Sequence, residues 1–109
     1  MAFDERIAGQ VRQLLGTRKD VTERKMFGGL AFMVGGNMLC AVGKDHLMVR
    51  VGEAGYKTAL AQPHAQEMRF TGRAMRGYVT VAPAGYATRE ALQSWLRAAL
   101  SFVGTLPRK

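Results

Sequence analysis

Residues 24–40, "RKMFGGLAFMVGGNMLC", decide the fold of this chain, because two glycine pairs divide a run of apolar residues. The pairs are Gly28-Gly29 and Gly35-Gly36, and the basic pair Arg24-Lys25 precedes the first of them. Glycine pairs near basic residues either cradle a phosphate or let strands bend and turn. The residues that follow each pair decide between the two, because a phosphate cradle requires a helix directly after the glycines.

The residues after both glycine pairs favour strands over a phosphate site. Gly28-Gly29 is followed by "LAFMV", which is too short for a helix before the next glycines, and neither a Walker motif nor G-x-G-x-x-G occurs in the chain. We therefore expect Gly35-Gly36 to form a hairpin turn with positive φ. We expect Gly28-Gly29, inside or beside a strand, to form a bulge or a bend.

Short apolar runs on both sides of this stretch predict further strands. The runs "KMFGGLAFMV", "NMLCAVG" and "HLMVRVG" are separated by glycine-containing turns, which is typical of a three-stranded meander. Downstream, "EMRF" and "GYVTVA" predict two more strands, with the arginine-rich "TGRAMRG" as the loop between them.

Helices are predicted at both ends and in the middle of the chain. Residues Phe3–Leu15 show helical spacing, with Asp4 as N-cap and Gly16 as C-cap, and the polar "TRKDVTER" then reads as a connector. Residues Glu53–Ala61 predict a short helix, and Thr88 is placed to cap a last one. The apolar stripe of that last helix comprises Leu92, Trp95, Leu96, Ala99, Leu100 and Val103.

The predicted element order is α-β-β-β-α-β-β-α in one domain spanning residues 1–109. Strands clustered between helices favour the α+β class with a mainly antiparallel sheet. Three helices cannot easily cover both faces of a five-stranded sheet. We therefore expect a two-layer α-β(3)-α-β(2)-α arrangement with the helices on one face.

Strand alternation places two different sets of side chains on the two faces of the sheet. In "HLMVRV", one set, Leu47, Val49 and Val51, should meet the helices. The other set, His46, Met48 and Arg50, should lie on the uncovered face, and we name it as the candidate interface. An apolar open face on a small domain usually finds a partner, so we expect a homodimer or a complex with another protein. The alternative is that a bent sheet or the tail covers this face.

The composition of the chain restricts its partners and its cellular compartment. There are 16 Lys and Arg against 8 Asp and Glu, a formal net charge of +8 and a sequence pI of about 10.4. This balance leaves nucleic acid open as a partner, beside the alternative of a solvated basic surface. One cysteine excludes an internal disulfide, and no run has the length of a signal peptide core or membrane span. We expect a cytoplasmic protein that does not bind membranes.

The segment "MRFTGRAMRGY" is the candidate nucleic-acid contact. It holds Arg69, Arg73 and Arg76 within eight residues, with Phe70 and Tyr78 nearby. Arginine combined with aromatic side chains can bind single strands through phosphate contacts and stacking. The alternative is an ordinary solvated hairpin loop with Phe70 in the core.

No catalytic or metal-binding constellation is predicted. Cys40 and His46 lie on consecutive strands and can share a face, but no acid is placed to orient the histidine. One Cys and two His lack the spacing of a structural zinc site. We expect no enzyme activity, no cofactor and no metal.

The stretches "KMFGGLAF", "GNMLCAV" and "LMVRVG" resemble the N-terminal domain of the TfoX/Sxy family of bacterial competence regulators. The most specific signature of the resemblance comprises Lys25, Met26, Phe27, Gly28, Gly36, Asn37 and Met38. The resemblance implies the two-layer fold given above. It also implies a non-enzymatic regulatory or protein-interaction module, here as a stand-alone domain without the C-terminal helical domain of the competence regulators.

Overall fold

The computed structural model describes residues 3–26, 28–70 and 72–108. It contains three helices and one antiparallel sheet of six strands. The helices are α1 (Glu5–Leu15), α2 (Gly52–Leu60) and α3 (Arg89–Val103). The strands are β1 (Val21–Met26), β2 (Gly29–Val34), β3 (Asn37–Val42), β4 (Leu47–Arg50), β5 (Ala65–Phe70) and β6 (Arg73–Val81).

The sheet has the order β1-β2-β3-β4-β6-β5, so the predicted α+β class is confirmed and the predicted count of five strands is wrong. The additional strand is β1, which overlaps the segment read as a polar connector. β1 lies at the edge of the sheet and four of its six side chains are exposed. An exposed edge strand carries charges in place of alternating apolar residues, which is why its sequence resembles a loop.

The two glycine pairs turn the chain at both ends of β2. Gly35 and Gly36 have φ of 59° and 84°, as a two-residue hairpin turn requires, and this prediction is confirmed. The bend predicted at Gly28-Gly29 lies beside a strand and not inside one, because Gly28, with φ of 71°, lies between β1 and β2. Gly29 opens β2, where a Cβ atom would overlap the carbonyl oxygen of Val42 on β3.

The predicted helix caps are confirmed. The Asp4 carboxylate accepts hydrogen bonds from the backbone N–H groups of Arg6 and Ile7 at 3.0 and 3.2 Å. Gly16 ends α1 with φ of 66°, and the Thr88 hydroxyl accepts from the N–H of Ala91 at 3.1 Å. These bonds satisfy amide groups that have no partner inside their own helix.

All three helices pack on one face of the sheet, as predicted for a two-layer arrangement. Their buried residues form one main core with one side of the strands, including the predicted Leu47, Val49 and Val51. The largest fully buried side chains of this core are Phe32, Ile7, Leu39, Leu47 and Leu92. The other side of the strands forms a second, separate cluster, described below.

The predicted arginine-rich loop at residues 71–77 is wrong. β5 ends at Phe70 and β6 already begins at Arg73, so most of this segment is strand. The two strands shift register between Glu67 and Arg69, and Gly77 adopts φ of 86° on the opposite strand. The glycines of this segment led to the prediction of a loop. In the structure, Gly77 allows an irregularity inside a long strand.

The C-terminal tail folds back across the end of the sheet. The Asn37 side-chain amide donates a hydrogen bond to the carbonyl of Pro107 at 2.9 Å, and the Arg108 guanidinium pairs with Asp20 at 3.1 Å. Asp20 also accepts the backbone N–H of Gly35 at 2.9 Å through its own carbonyl. The tail is thereby tied to the β2–β3 turn. Within the described part of the chain, no helix is both long and apolar enough to cross a membrane.

Candidate functional site

The strand face that carries no helix is built almost entirely of methionine. The chain has seven methionines, and all six that the structure describes cluster here with two alanines and a tyrosine. We call this surface the methionine face, and it consists of Met26, Ala31, Met33, Met38, Ala41, Met48, Met68, Met75 and Tyr78. Every one of these residues lies in a strand.

A bulge in β3 explains why two of these residues break the simple alternation. Phe32 pairs with Cys40, but Met33 pairs with Met38, so β3 carries one extra residue, Leu39. Leu39 and Cys40 consequently both point into the main core, whereas Met38 and Ala41 both belong to the methionine face. Bulges of this kind redirect side chains without ending the strand pairing.

The methionine face has a buried floor and a partly exposed rim. Met38, Met48 and Met68 are at most 7% exposed, although no described helix residue belongs to their cluster. Met26, Met33, Met75 and Tyr78 are only partly buried and therefore form the accessible surface. The long, unbranched thioether side chains pack against one another in this cluster.

The predicted interface set of His46, Met48 and Arg50 does not form a continuous exposed patch. Met48 is 2% exposed and lies in the floor of the methionine face. His46 lies at the start of β4, with its ring against Gly43, and Arg50 ends the same strand. The alternation that placed Met48 and Arg50 on one face agrees with their cross-strand partners, because Met48 faces Ala41 and Arg50 faces Tyr78.

Arg50 is held at the end of the methionine face by aromatic rings. The centre of its guanidinium lies 5.5 Å from the ring centroid of Tyr78 and 5.4 Å from that of Phe102 on α3. Its Nη1 donates to the carbonyl of Met38 at 3.4 Å. Cation–π contacts of this geometry stabilise a guanidinium by about 0.5–2 kcal/mol each, depending on how far it is desolvated.

The methionine face carries positive charge and no carboxylate. Arg24 pairs across the strands with Ala31, and Arg50 pairs with Tyr78, so both arginines belong to this side. Among the acidic residues, only Glu23 and Glu67 lie in strands, and they pair with core residues of the helix-covered side. The remaining acids lie in helices or connections: Asp4, Glu5, Asp20, Asp45, Glu53 and Glu90.

A cavity of about 480 Å³ opens beside the floor of the methionine face. Its lining brings together His46, Met48, Met68 and Arg69 with the Gly28-Gly29 pair at the start of β2. The glycines thus share a cavity with the basic side chain of Arg69, and not with the Arg24-Lys25 pair that precedes them in the sequence. No helix begins at them, so they offer none of the aligned amide groups of a phosphate cradle.

The structure pairs two of the three arginines of the candidate nucleic-acid contact with carboxylates. Arg76 reaches Glu53 on α2 at 2.9 Å and lies 5.8 Å from the ring centroid of Tyr56. Arg69 lies 3.5 Å from the carboxylate of Glu67, its near neighbour on β5. Arg73 is exposed at the start of β6. Two of the three cations are therefore paired with carboxylates, which reduces their attraction for phosphates.

Cys40 and His46 do not come together. Cys40 is fully buried in the main core, whereas His46 lines the cavity beside the methionine face. Burial raises the pKa of the Cys40 thiol to about 12, so only about one molecule in 10⁵ carries a thiolate near pH 7. Among the described residues, no group of three or more His, Cys, Asp or Glu side chains is placed to hold a metal ion.

Two carboxylates near the first helix, those of Glu23 and the partly buried Asp20, pair with arginines. A hydrogen bond from Arg12 lowers the pKa of Glu23, and the pKa of Arg12 is raised by the same bond. Hydrogen bonding to Arg18 likewise lowers the pKa of Asp20. Ion pairs at the surface contribute little to the free energy of unfolding.

A second, larger groove of about 1050 Å³ separates α2 from α3. Small side chains such as Ala54, Thr58, Ser94 and Ala98 line its walls, and Trp95 and Phe102 contribute its aromatic surface. The indole N–H of Trp95 donates to the carbonyl of Gly85 at 3.1 Å, so the tryptophan is already satisfied within the fold.

The structure gives physical roles to most of the signature residues. Gly28 and Gly36 supply the positive φ of two turns, and Asn37 holds the tail. Met26 and Met38 belong to the methionine face. Lys25 is exposed on β1, and Phe27 lies outside the described residues.

Sequence reasoning missed the residues that make up the accessible part of the methionine face. Met33 and Met75 were not singled out, and Tyr78 and Arg24 were considered only for nucleic-acid and phosphate binding, not for this face. One signal was present, because four of the five predicted strands contain methionine, and each of the six observed strands contains one. Assigning these residues to one face required the bulge in β3 and the register shift between β5 and β6.

These features define a two-layer α+β module that covers one sheet face with helices and lines the other with methionine. The family model of the TfoX N-terminal domain matches residues 13–103. The chain therefore belongs to the TfoX N-terminal domain family, as the signature implied, and this is not a known enzyme family. Comparisons with curated proteins and with solved structures found no significant match.

Proposed function

We propose that this chain is a non-enzymatic, cytoplasmic regulatory module that binds another protein through the methionine face. Membership of a family named after competence regulators supports the regulatory part of the proposal. The observation that carries the binding part is the face itself, an apolar strand surface that no described helix covers.

The rim of the methionine face is suited to protein binding. Met26, Met33, Met75 and Tyr78 are partly exposed and surround a floor that is already dry. Full burial of a methionine side chain contributes about 1.5–3 kcal/mol relative to exposure, and a partly buried one contributes less. Methionine also adapts its shape to irregular partners, because its side chain is unbranched and polarisable.

Affinity capture with a variant tests the proposal. The wild-type chain and the variants Met33→Glu and Gln93→Glu are immobilised and exposed to a lysate of the cells that express the chain. Met33→Glu puts a charge on the methionine face, while Gln93→Glu adds the same charge to an exposed position of α3. We expect both the wild type and Gln93→Glu to capture the same proteins, and Met33→Glu to lose them.

Two results would contradict this proposal. Equal recovery by Met33→Glu and the wild type would move the binding site away from the methionine face. Loss of the captured proteins after nuclease treatment would show that they bind through nucleic acid and not through the methionine face. The unfolding midpoints of both variants are compared with that of the wild type, so that a loss of binding is not a loss of fold.

A small nucleic-acid-binding module is the second candidate function, and the net charge of +8 favours it. Arg73 is the best placed of the three candidate contacts, because Arg69 and Arg76 are paired with carboxylates. Binding of a single-stranded oligonucleotide would have to weaken steeply between about 50 and 200 mM salt. Unchanged affinity in an Arg73→Gln variant would remove this residue from the proposed contact.

A further inference from the structure

We propose that Arg50 is the receptor for a carboxylate on the protein partner, so that the partner presents an acidic side chain among apolar ones. This inference rests on the proposed function of the methionine face and specifies the chemistry of the partner.

Arg50 differs from every other cation that the structure describes. It is the single Lys or Arg in residues 3–26, 28–70 and 72–108 whose side chain is not classed as exposed. Exposed arginines such as Arg12, Arg76 and Arg108 pair with carboxylates, whereas no described carboxylate lies within salt-bridge distance of Arg50. A partly buried cation loses hydration and is usually paired, so the absence of an acid beside Arg50 among the described residues supports a carboxylate supplied by a partner.

The surroundings of Arg50 prepare it for such a ligand. Tyr78 and Phe102 hold the guanidinium at 5.5 and 5.4 Å, and the Met38 carbonyl receives one of its N–H groups. A guanidinium has five N–H donors, so this single bond leaves enough of them for a two-pronged contact with a carboxylate. Because the side chain is already ordered, less entropy is lost when the contact forms.

The charge of the whole face agrees with an acidic partner. Arg24 and Arg50 belong to the methionine face, and both strand carboxylates of the sheet pair with residues of the opposite side. A second copy of the same face would add two more arginines and no strand carboxylate to pair with them. A nucleic acid would need a row of exposed cations for successive phosphates, whereas an apolar methionine surface separates these two arginines. An acidic and apolar protein segment satisfies both the methionines and the arginines.

A random peptide library is the probe that tests the inference. Peptides of about ten residues are long enough, because an extended chain spans about 3.3 Å per residue and the protein is about 30 Å across. Peptides are selected on the wild-type chain, and their affinities are then measured for Arg50→Gln, Arg50→Lys and Arg97→Gln. Arg97 is an exposed arginine of α3 and serves as the matched control.

We expect the selected peptides to combine Asp or Glu with apolar residues and to lose about tenfold in affinity for Arg50→Gln. Arg50→Lys keeps the charge without the planar fork and should lose less, while Arg97→Gln should bind as the wild type does. Replacing the peptide carboxylate by its amide should remove the difference between wild type and Arg50→Gln.

Three outcomes would overturn the inference. They are selected peptides without acidic residues, equal affinity for Arg50→Gln and the wild type, and a failure to select any peptide. If the peptides ignore Arg50 but lose binding to Met33→Glu, only the carboxylate receptor is wrong and the proposed function stands. Arg50-dependent binding of a single-stranded oligonucleotide with no peptide binding would assign the site to nucleic acid. Unfolding midpoints identify any variant that fails to fold. If Arg50→Gln does not fold, the affinity of Arg50→Lys is compared with that of the wild type instead.

Discussion

Asn37 shows how one residue can connect distant parts of this chain. It is the buried polar residue among the described ones, at 4% exposure, and its partner Pro107 lies 70 positions later in the sequence. A buried amide costs free energy unless it is bonded, so the tail and the β2–β3 turn stabilise each other. A contact over such a separation leaves no local pattern, which is why the sequence alone identified Asn37 only as part of a family signature.

Replacing Asn37 by Ala should destabilise the chain by about 1–2 kcal/mol, because a buried hydrogen bond and its packing are lost. Chemical denaturation measures this change, and faster hydrogen exchange over residues 104–108 should accompany it. Arg108→Ala is the control, because it removes an exposed ion pair of the same tail and should cost less than about 0.5 kcal/mol. Equal effects of the two variants would show that the tail is held by charge.

Cys40 gives a prediction for pH dependence. Burial raises its pKa from 9.0 to about 12, so the folded chain keeps the thiol proton at pH values where the unfolded chain releases it. This contribution to stability is therefore complete below about pH 9 and is lost as the pH rises from there towards 12, by at most ~1.4 kcal/mol per pH unit.

The measurement compares the unfolding free energy of wild type and Cys40→Ala across this pH range. Other groups, such as Tyr86, whose pKa is also raised by burial, contribute to both proteins and cancel in the difference. We expect the difference to shrink as the pH rises, and the native thiol to resist alkylation at pH 7 until the chain unfolds. A constant difference, or rapid alkylation of the native chain, would contradict the buried position of Cys40.

At the scale of elements, the sequence predicted best those elements whose signals are local. The caps at Asp4, Gly16 and Thr88 and the apolar stripes of α1 and α3 follow from neighbouring residues, and the structure confirms them. β1 was missed because an exposed edge strand has no apolar alternation to detect. The arginine-rich segment was predicted to be a loop because glycine is common in turns. Only the strand pairing shows that Gly77 lies within β6.

Two glycine substitutions should have opposite effects on stability. Gly29→Ala should destabilise by about 1–3 kcal/mol, because its Cβ would overlap the Val42 carbonyl and force β2 away from β3. Gly9→Ala should stabilise by about 0.5–1 kcal/mol, because α1 offers open space there and alanine favours helix. Chemical denaturation measures the free energy of unfolding of both variants. An unchanged value for Gly29→Ala would show that β2 and β3 are not close enough at this position for the Cβ atom to overlap.

On the scale of the whole molecule, the two apolar faces of the sheet differ in how they are covered. The helix-covered side is a closed core, whereas the methionine face is closed only by its own side chains and carries arginine without carboxylate. Sequence alternation predicted that an apolar face would stay free of helices. It could not predict that the floor of this face is already buried, because that burial depends on how six strands bring their methionines together.

The charge on the methionine face predicts the oligomeric state of the isolated chain. Two copies meeting at this face would bring Arg24 and Arg50 of both copies into one interface without a strand carboxylate to pair with them, so we expect a monomer of 11.9 kDa in light scattering or sedimentation. Lowering the salt concentration should not promote association, because repulsion between like charges is then screened less. A dimer that Met33→Glu dissociates would instead make a second copy the partner.

The concentration of methionine on one surface also turns a single amino acid type into a selective reporter. Growth on methionine labelled with ¹³C at its ε-methyl group would place NMR probes at six described positions, all on the methionine face. The helix layer would carry no such probe among its described residues. A ligand that shifts several of these methyl signals together thereby reports the surface to which it binds, before any residue is replaced.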